Sequence, residues 1–280
     1  MDKEKMDIIR PRQERLYTPK QNQPDPYVKI SHLSKIYYTR GGECHALDGL
    51  SFNIVKGEIV VVVGPSGCGK STLLMIIAGL VRSTKGTVEI EGRPVKGPQT
   101  NIGIVFQNPT LLDWRTAFEN VMLQIEMREL EVNKYKQYAL ELLKSVGLKG
   151  FESKYPFELS GGMRQRVSIC RALVHDPPFL LMDEPFGALD ALTREQMRID
   201  LERLLLKKKK TVLFVTHSIE EAVILADRII VMTPRPGKVD KVIHIDLPRP
   251  RNLEVQGSTE FLEYCKVIKD IFLSRGVLKY

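Results

Sequence analysis

The most informative stretch of this sequence is Gly64-Pro65-Ser66-Gly67-Cys68-Gly69-Lys70-Ser71-Thr72. It follows the apolar run Ile59–Val63, which indicates a buried strand, and it precedes a helical pattern at residues 73–78. In this context the pattern is that of a phosphate-binding loop, and a chance glycine-rich turn is the much weaker alternative. Its backbone N–H groups and helix N-terminus suit an anion. We predict that the chain binds a nucleoside triphosphate, with Lys70 on the β- and γ-phosphates and Ser71 on Mg²⁺.

The composition is that of an ordinary globular protein. Of 280 residues, 43% are hydrophobic and 27% are charged. No apolar run approaches the ~18 residues that a membrane-spanning helix needs, and the first residues lack the apolar core of a secretory signal. We therefore expect the chain to work in the cytoplasm and to reach a membrane only through a partner.

The four cysteines lie far apart and form no CxxC pair, which argues against a zinc site and against a disulfide framework. Cys68, inside the phosphate loop, is either a small residue that fits the turn or a thiol that is sensitive to alkylation. The net charge of +8 would suit nucleic acid or an anionic membrane. However, the basic residues are spread along the chain without interleaved aromatic residues, so no nucleic-acid binding is expected.

The start of the chain divides into two parts. Residues 1–26 contain four prolines and no apolar period, so we expect a flexible extension. Ordered structure is expected from residue 27, with strands at residues 27–30 and 33–38. Tyr37 or Tyr38 could stack on a nucleotide base or simply pack against a sheet, and the residues alone leave these alternatives equal.

Further strands are expected at residues 50–54, 87–90 and 102–106. Gln107 follows the last of these, at the edge where ligands of parallel sheets bind, so it is a candidate ligand of Mg²⁺ or of the attacking water. Residues 108–159 then read as a helical insert with the apolar period Ala139, Leu142, Leu143 and Val146. Trp114 is either an exposed anchor for a partner helix or a core residue.

A second helix start also suits an anion. Ser160-Gly161-Gly162 opens a helical pattern, and its free N–H groups would attract phosphate. One chain thus has one phosphate loop but two helix ends that suit phosphate. This surplus suggests that two chains share each nucleotide.

Two carboxylates and a histidine complete the set of candidate residues. The apolar residues 179–182 indicate a buried strand that delivers Asp183 to the edge beside the phosphate loop, where it can hold Mg²⁺. Glu184 can orient or deprotonate a water that attacks the γ-phosphate. The weaker alternative is that Asp183 and Glu184 are merely acidic turn residues at the end of a strand. A last buried strand at residues 211–216 ends at His217, which could bond the γ-phosphate. Residues 218–221 fit a helix capping box.

Together these motifs resemble, over residues 28–245, the ATPase subunit of ATP-binding-cassette (ABC) transporters. The matching segments are the Walker A loop at residues 64–72, the Q-loop at Gln107, the signature at residues 159–162, the Walker B strand at residues 179–184, the D-loop at Asp190 and the switch histidine at His217. Alignment with the family makes Tyr37, rather than Tyr38, the base-stacking residue.

The resemblance implies an α/β P-loop NTPase fold whose core sheet carries an inserted helical subdomain and an antiparallel β-subdomain. This domain would span residues 27–245, and residues 246–280 would form a tail with a short helix. Two subunits would form a homodimer around two ATP molecules, each held by one phosphate loop and by the other subunit's Ser160, Gly161 and Gly162.

The resemblance also implies roles for single residues. Glu184 would be the catalytic base, with His217, Gln107 and Lys70 assisting, and Asp190 would lie at the nucleotide. Mg²⁺ would be held by three residues, Ser71, Gln107 and Asp183.

Partners follow from the same resemblance. Two integral membrane permease subunits would bind near Gln107 and the helical insert, at the cytoplasmic face of the membrane, with an extracytoplasmic solute-binding protein acting indirectly. Three segments are similar to importers of nitrate, sulfonates, taurine and related small solutes: residues 106–116, residues 159–167 with Met163 where many members carry glutamine, and Pro234-Arg235-Pro236-Gly237-Lys238. Asp113 departs from that subgroup, which usually has proline there, and thiamine-precursor and riboflavin-type importers share much of the pattern.

Two other classes are disfavoured. A non-transport ABC ATPase acting on ribosomes or nucleic acid would carry two cassettes or a long coiled coil, and this sequence shows one cassette and no sustained heptad. An inactive module would have lost Lys70, Glu184 or His217, and all three are present.

Overall fold

The computed structural model describes residues 25–187 and 189–278. The predicted flexible extension at residues 1–26 lies, except for its last two residues, outside these ranges. It therefore stays a prediction.

The centre of the fold is a six-stranded sheet in the order β10-β9-β3-β8-β7-β6. Five of these strands, β3, β6, β7, β8 and β9, run parallel to one another. The sixth strand, β10, pairs with β9 in the antiparallel direction. The strands are β3 (Ile59–Val63), β6 (Ile102–Val105), β7 (Phe179–Asp183), β8 (Thr211–Thr216), β9 (Arg228–Met232) and β10 (Val239–His244). Every residue of β3, β7, β8 and β9 is buried. This burial explains their continuous apolar runs, because both faces of the sheet are covered.

The prediction that residues 211–216 form the last buried strand is wrong, because β9 follows and is buried throughout. Its first residue, Arg228, is charged and precedes the apolar residues 229–232. Arg228 Nε donates to Glu58 Oε1 at 2.8 Å and Nη2 donates to the Asn53 carbonyl at 2.6 Å. These partners allow a cation to be buried in a central strand.

A second, antiparallel sheet of four strands has the order β2-β1-β4-β5. Its strands are β1 (Val28–Thr39), β2 (Gly42–Ile54), β4 (Lys85–Ile90) and β5 (Arg93–Pro94). The two strands expected at residues 27–30 and 33–38 are one strand, with irregular pairing between Ile30 and Ile36. Alternate residues of β3 face two apolar clusters: Val60 and Val62 face this sheet, and Val61 and Val63 face the helices of the opposite side.

Helices cover both faces of the large sheet. They are α1 (Lys70–Ile77), α2 (Ala117–Glu126), α3 (Val132–Ser145), α4 (Gly161–Leu173), α5 (Ala191–Lys208), α6 (Ile219–Leu225), α7 (Leu253–Gln256) and α8 (Thr259–Ser274), with a 3₁₀ turn at Pro156–Glu158. The predicted apolar face of α3 is confirmed, since Ala139, Leu142, Leu143 and Val146 are all buried. Among the described residues, no helix combines the length and apolarity needed to span a membrane.

The chain beyond residue 245 is more structured than the short helix that the sequence suggested. Helix α8 has 16 residues and buries four side chains, those of Phe261, Cys265, Ile268 and Phe272. It packs against α6, the helix that follows His217. The boundaries of the predicted insert and tail remain predictions.

Candidate active site

The phosphate loop connects β3 to α1 and is closed by Lys70. Lys70 is 5% exposed, and its Nζ donates to the Gly64 carbonyl at 2.9 Å and to the Pro65 carbonyl at 3.1 Å. The same Nζ lies 3.3 Å from Glu184 Oε1. The lysine is therefore held over the loop by oxygen atoms, in a position where a phosphate can replace them.

The loop is also packed from outside. A Cβ on Gly69, whose φ is +100°, would lie 2.7 Å from the Ala46 carbonyl oxygen, and a Cβ on Gly237 would lie 2.1 Å from the Cys68 carbonyl oxygen. Arg235 Nε donates to the Gly67 carbonyl at 3.2 Å. The segment 234–238 therefore packs against the phosphate loop and donates a hydrogen bond to it. This segment stood out in the sequence, but its contact with the loop was not predicted.

The alkylation-sensitive alternative for Cys68 is disfavoured by its surroundings. Its side chain is buried. Burial raises the pKa of its thiol, outweighing the opposite effect of the nearby Lys70. A protonated, inaccessible thiol is a poor nucleophile, so Cys68 acts as a small residue of the turn.

Ser71 and Asp183 meet as the magnesium prediction requires. Ser71 Oγ donates to Asp183 Oδ1 at 3.0 Å. Burial raises the pKa of the Asp183 carboxyl, the Ser71 hydrogen bond lowers it, and the charge of Glu184 raises it again. A hydroxyl and a carboxylate beside a phosphate loop are the oxygen ligands that Mg²⁺ prefers, so the residues present fit that ion.

Glu184 occupies the centre of the site. Its backbone has φ +41°, and its N–H donates to the Val215 carbonyl at 3.0 Å across the neighbouring strand. One carboxylate oxygen faces Lys70, and the other lies 2.9 Å from His217 Nδ1. A carboxylate held from both sides at the strand edge is placed to accept a proton from a water.

Gln107, the predicted site residue that follows β6, has fewer partners than Glu184. Gln107 is exposed, and no described residue hydrogen-bonds its side chain. It lies beside the loop after Glu184, because a Cβ on Gly187 would be 3.8 Å from its Nε2. The structure thus brings Gln107 near Glu184, but among the described residues no hydrogen bond joins it to Ser71 or Asp183.

Tyr37 and Tyr38 differ in their relation to the loop. Tyr37 Oη lies 3.4 Å from Thr72 Oγ1, whereas the Tyr38 side chain is 73% exposed. Of these two tyrosines, Tyr37 is therefore the one with a polar contact to the phosphate loop. Its role as the base-stacking residue stays a prediction.

The signature residues lie elsewhere on the chain's own surface. Ser160 caps α4 by accepting from Met163 N, and Ser160 and Gly161 are exposed. A Cβ on Gly162 would lie 2.8 Å from Thr193 Cγ2, which places this turn beside α5. Within the described residues, no hydrogen bond joins Ser160, Gly161 or Gly162 to the phosphate loop of the same chain.

Asp190 and Ser218 each cap the helix that follows them. Asp190 caps α5 by accepting from Thr193 N at 3.0 Å. Ser218 caps α6, but the predicted capping box is wrong: the Glu221 carboxylate accepts from Thr216 Oγ1 at 2.6 Å instead of from the Ser218 backbone. The Ser218 N–H donates to Thr216 Oγ1 at 3.0 Å.

Comparison with known proteins agrees with this geometry. A family model described as "ABC transporter" matches residues 47–187. This chain belongs to the ABC transporter family. The predicted P-loop ABC ATPase fold is confirmed, and so is the prediction that the chain is an ATPase.

Curated members of the family resemble the chain over most of its length. An uncharacterized ABC transporter ATP-binding protein of Methanocaldococcus jannaschii is 48% identical over 252 residues, which are 90% of this chain and 93% of that protein. An aliphatic sulfonates import ATP-binding protein of Bacillus cereus is 42% identical over 252 residues, with 90% and 98% covered. A taurine import ATP-binding protein of Rhizobium johnstonii is 45% identical over 260 residues, with the same coverage of 90% and 98%.

A solved ABC cassette has the same fold. It is a dimeric post-hydrolysis state bound to ADP and Pi, with a TM-score of 0.71 and 36% identity, and it covers 79% of this chain and 100% of its own. The sequence motifs therefore placed this ABC ATPase in the correct family.

Proposed function

We propose that ATP hydrolysis by this ABC ATPase powers the uptake of a small organic sulfonate, taurine or a related solute such as nitrate. The proposal draws its solute class from the relatives, which are import ATP-binding proteins for aliphatic sulfonates and taurine. Those names favour import over a role on nucleic acid or ribosomes. The observation that carries the chemistry is Glu184, which bridges Lys70 and His217 beside the Ser71–Asp183 pair.

In the proposed reaction, Lys70 exchanges its carbonyl contacts for β- and γ-phosphate oxygens. Glu184 accepts a proton from a water whose oxygen attacks the γ-phosphorus, while the bond from that phosphorus to the β–γ bridging oxygen breaks and ADP leaves. His217 holds the Glu184 carboxylate and faces the γ-phosphate. Ser71 and Asp183, with Gln107 as the third predicted ligand, would hold Mg²⁺, which would supply positive charge to the phosphate oxygens.

Two copies of the chain would form the complete site. Ser160 and Gly161 are exposed, and no hydrogen bond among the described residues joins them to the phosphate loop of their own chain. A related cassette is dimeric with ADP and Pi bound. The free N–H groups at the start of α4 from one copy would then face the γ-phosphate held by the other. Asp190, at the adjacent start of α5, would lie at the same interface.

The membrane partners would bind an exposed aromatic patch formed by Trp114, Tyr155 and Phe157. Trp114 is 74% exposed, so it is not a core residue, and Phe157 is 75% exposed and stacks on Tyr155 with centroids 5.6 Å apart. The Ala117 N–H donates to the Lys154 carbonyl at 2.8 Å, which keeps the two segments together. Exposed aromatic rings of this kind are typical anchors for a partner. Permease subunits docked here would hold the chain at the cytoplasmic face of the membrane, with an extracytoplasmic binding protein delivering the solute.

Affinity purification from mildly solubilised membranes tests this function. We expect tagged chain to recover a multi-span membrane protein, and the complex, reconstituted in liposomes with its binding protein, to hydrolyse ATP faster when taurine or an alkanesulfonate is added. If nitrate alone stimulated ATP hydrolysis, the transported solute would be nitrate and not a sulfonate. Recovery of ribosomes or nucleic acid in place of a membrane protein would contradict the transport proposal.

A further inference from the structure

The backbone that carries His217 is fixed by a buried hydrogen-bond chain. The Ser218 N–H donates to Thr216 Oγ1 at 3.0 Å, and the Thr216 hydroxyl donates to Glu221 Oε2 at 2.6 Å. Thr216 is 1% exposed and Glu221 is 8% exposed. The residues on both sides of His217 are thus tied to one carboxylate that the catalytic scheme does not use.

His217 depends on this backbone for its position. Its side chain is 55% exposed, and Glu184 is the one side chain among the described residues that hydrogen-bonds it. A half-exposed imidazole with a single partner is not held by packing. Its place over the γ-phosphate therefore follows the conformation of residues 216–218.

The second oxygen of Glu221 faces the segment around Asp190. Glu221 Oε1 lies 3.9 Å from Arg194 Nε, and Arg194 Nη2 donates to the Leu189 carbonyl at 2.9 Å. Arg194 Nε is buried and has no hydrogen-bond partner among the described residues. A shift of about 1 Å would turn this ion pair into a hydrogen bond. Glu221 thus lies between the segment that precedes Asp190 and the segment that carries His217.

We propose that Glu221 is a positioning residue for His217, and that its pair with Arg194 links the position of His217 to the segment 189–190. This inference rests on the proposed role of His217 in ATP hydrolysis.

Two isosteric charge removals on the same helix test the inference. Glu221→Gln keeps the shape but replaces the carboxylate by a neutral amide, which loses the ion pair with Arg194 and weakens the hydrogen bond from Thr216. We therefore expect kcat for ATP to fall by about 10- to 100-fold with KM changed by less than about twofold. Glu220→Gln makes the same change at an exposed neighbour and should leave kcat and KM unchanged. A variant Thr216→Val should reproduce the kcat loss, and it serves in place of Glu221→Gln if that variant does not fold.

A second background separates positioning from general structural damage. In a His217→Ala chain, adding Glu221→Gln should produce no further fall in the residual rate, because the residue that Glu221 positions is gone. An equal further fall in that background would overturn the inference, and so would a Glu221→Gln chain with the same kcat as Glu220→Gln. A His217→Ala chain with wild-type turnover would instead contradict the proposed role of His217 itself.

Discussion

At the scale of single residues, the site concentrates opposite charges that balance one another. Lys70 and Asp183 are buried, with 5% and 8% of their surface exposed, and Glu184 lies between them and His217. Buried charges are costly unless they are partnered, and here Lys70 pairs with Glu184 while Asp183 accepts a hydrogen bond from Ser71.

The cost of burying Asp183 can be measured. Its carboxyl has a raised pKa, chiefly because of burial, so the folded chain binds this proton more tightly than the unfolded chain does. That contribution to stability is present at low pH and is lost as the pH rises through the raised pKa. At neutral pH, Asp183→Asn should therefore raise the midpoint of thermal unfolding of the nucleotide-free chain by about 2 °C.

The pH dependence and a control make this prediction specific. The advantage of Asp183→Asn should shrink as the pH is lowered, since wild-type Asp183 then becomes neutral as well, and the variant should lose Mg²⁺-dependent ATP hydrolysis. Asp270→Asn, at an exposed position of α8, should leave the midpoint unchanged. A variant that is less stable than wild type at neutral pH would contradict the assignment of a strained, buried carboxylate.

Local pattern was enough to predict the residues that follow strands. Asp183 and Glu184 follow the apolar run at residues 179–182, and Lys70 and Ser71 follow the phosphate loop after β3, so their place at the sheet edge could be predicted from sequence. Arg235 could not be, because its bond to the Gly67 carbonyl joins residues 168 positions apart. Such a contact depends on how β9 and β10 return to the phosphate loop.

At the scale of secondary-structure elements, the connection between β9 and β10 supports the phosphate loop. Gly237 N donates to the Ala46 carbonyl at 3.0 Å, and its own carbonyl accepts from Asp48 N at 3.0 Å. Cys68 leaves no room for a side chain at this glycine. The segment 234–238 thus connects the phosphate loop to β2.

A single methyl group tests this connection. Gly237→Ala should push the Cys68 peptide and raise KM for ATP several-fold, with a loss of about 1–3 kcal/mol in the free energy of unfolding, because the added Cβ overlaps a backbone oxygen. Gly97→Ala places its methyl group in open space and should change neither value. Steady-state kinetics and chemical denaturation measure both effects. Equal behaviour of the two variants would rule out that the segment 234–238 supports the phosphate loop.

The sequence predicted elements well where one rule acted alone. Continuous apolar runs marked β3, β7 and β8, because strands covered on both faces need no polar alternation. β9 was missed although residues 229–232 are continuously apolar, and the burial of its first residue, Arg228, depends on a salt bridge with Glu58, which is distant in sequence.

At the scale of the whole molecule, a buried arginine joins the segment after β10 to α6. Arg251 is 1% exposed. Its guanidinium donates to the carbonyl oxygens of Val223, Ile224 and Ala226, at 3.0, 3.2 and 2.6 Å. These groups end the short helix that begins after His217, so Arg251 satisfies carbonyls that a helix C-terminus leaves free.

Removing this arginine should destabilise the whole chain. Arg251→Met leaves buried carbonyls without donors, and we expect the free energy of unfolding to fall by about 3 kcal/mol. Arg203→Met, an exposed change on α5, should have little effect. Denaturant titration of both variants measures the difference, and an Arg251→Met chain as stable as Arg203→Met would contradict this structural role.

In the proposed reaction, Glu184 accepts the proton of the attacking water in a site completed by a second copy of the chain. The most direct measurement compares Glu184→Gln with the matched exposed change Glu220→Gln, following phosphate release and molecular mass with ATP present. We predict that Glu184→Gln binds ATP, loses about 100-fold or more of its hydrolysis rate and accumulates as a dimer, while Glu220→Gln behaves as wild type. Undiminished hydrolysis by Glu184→Gln would contradict the account.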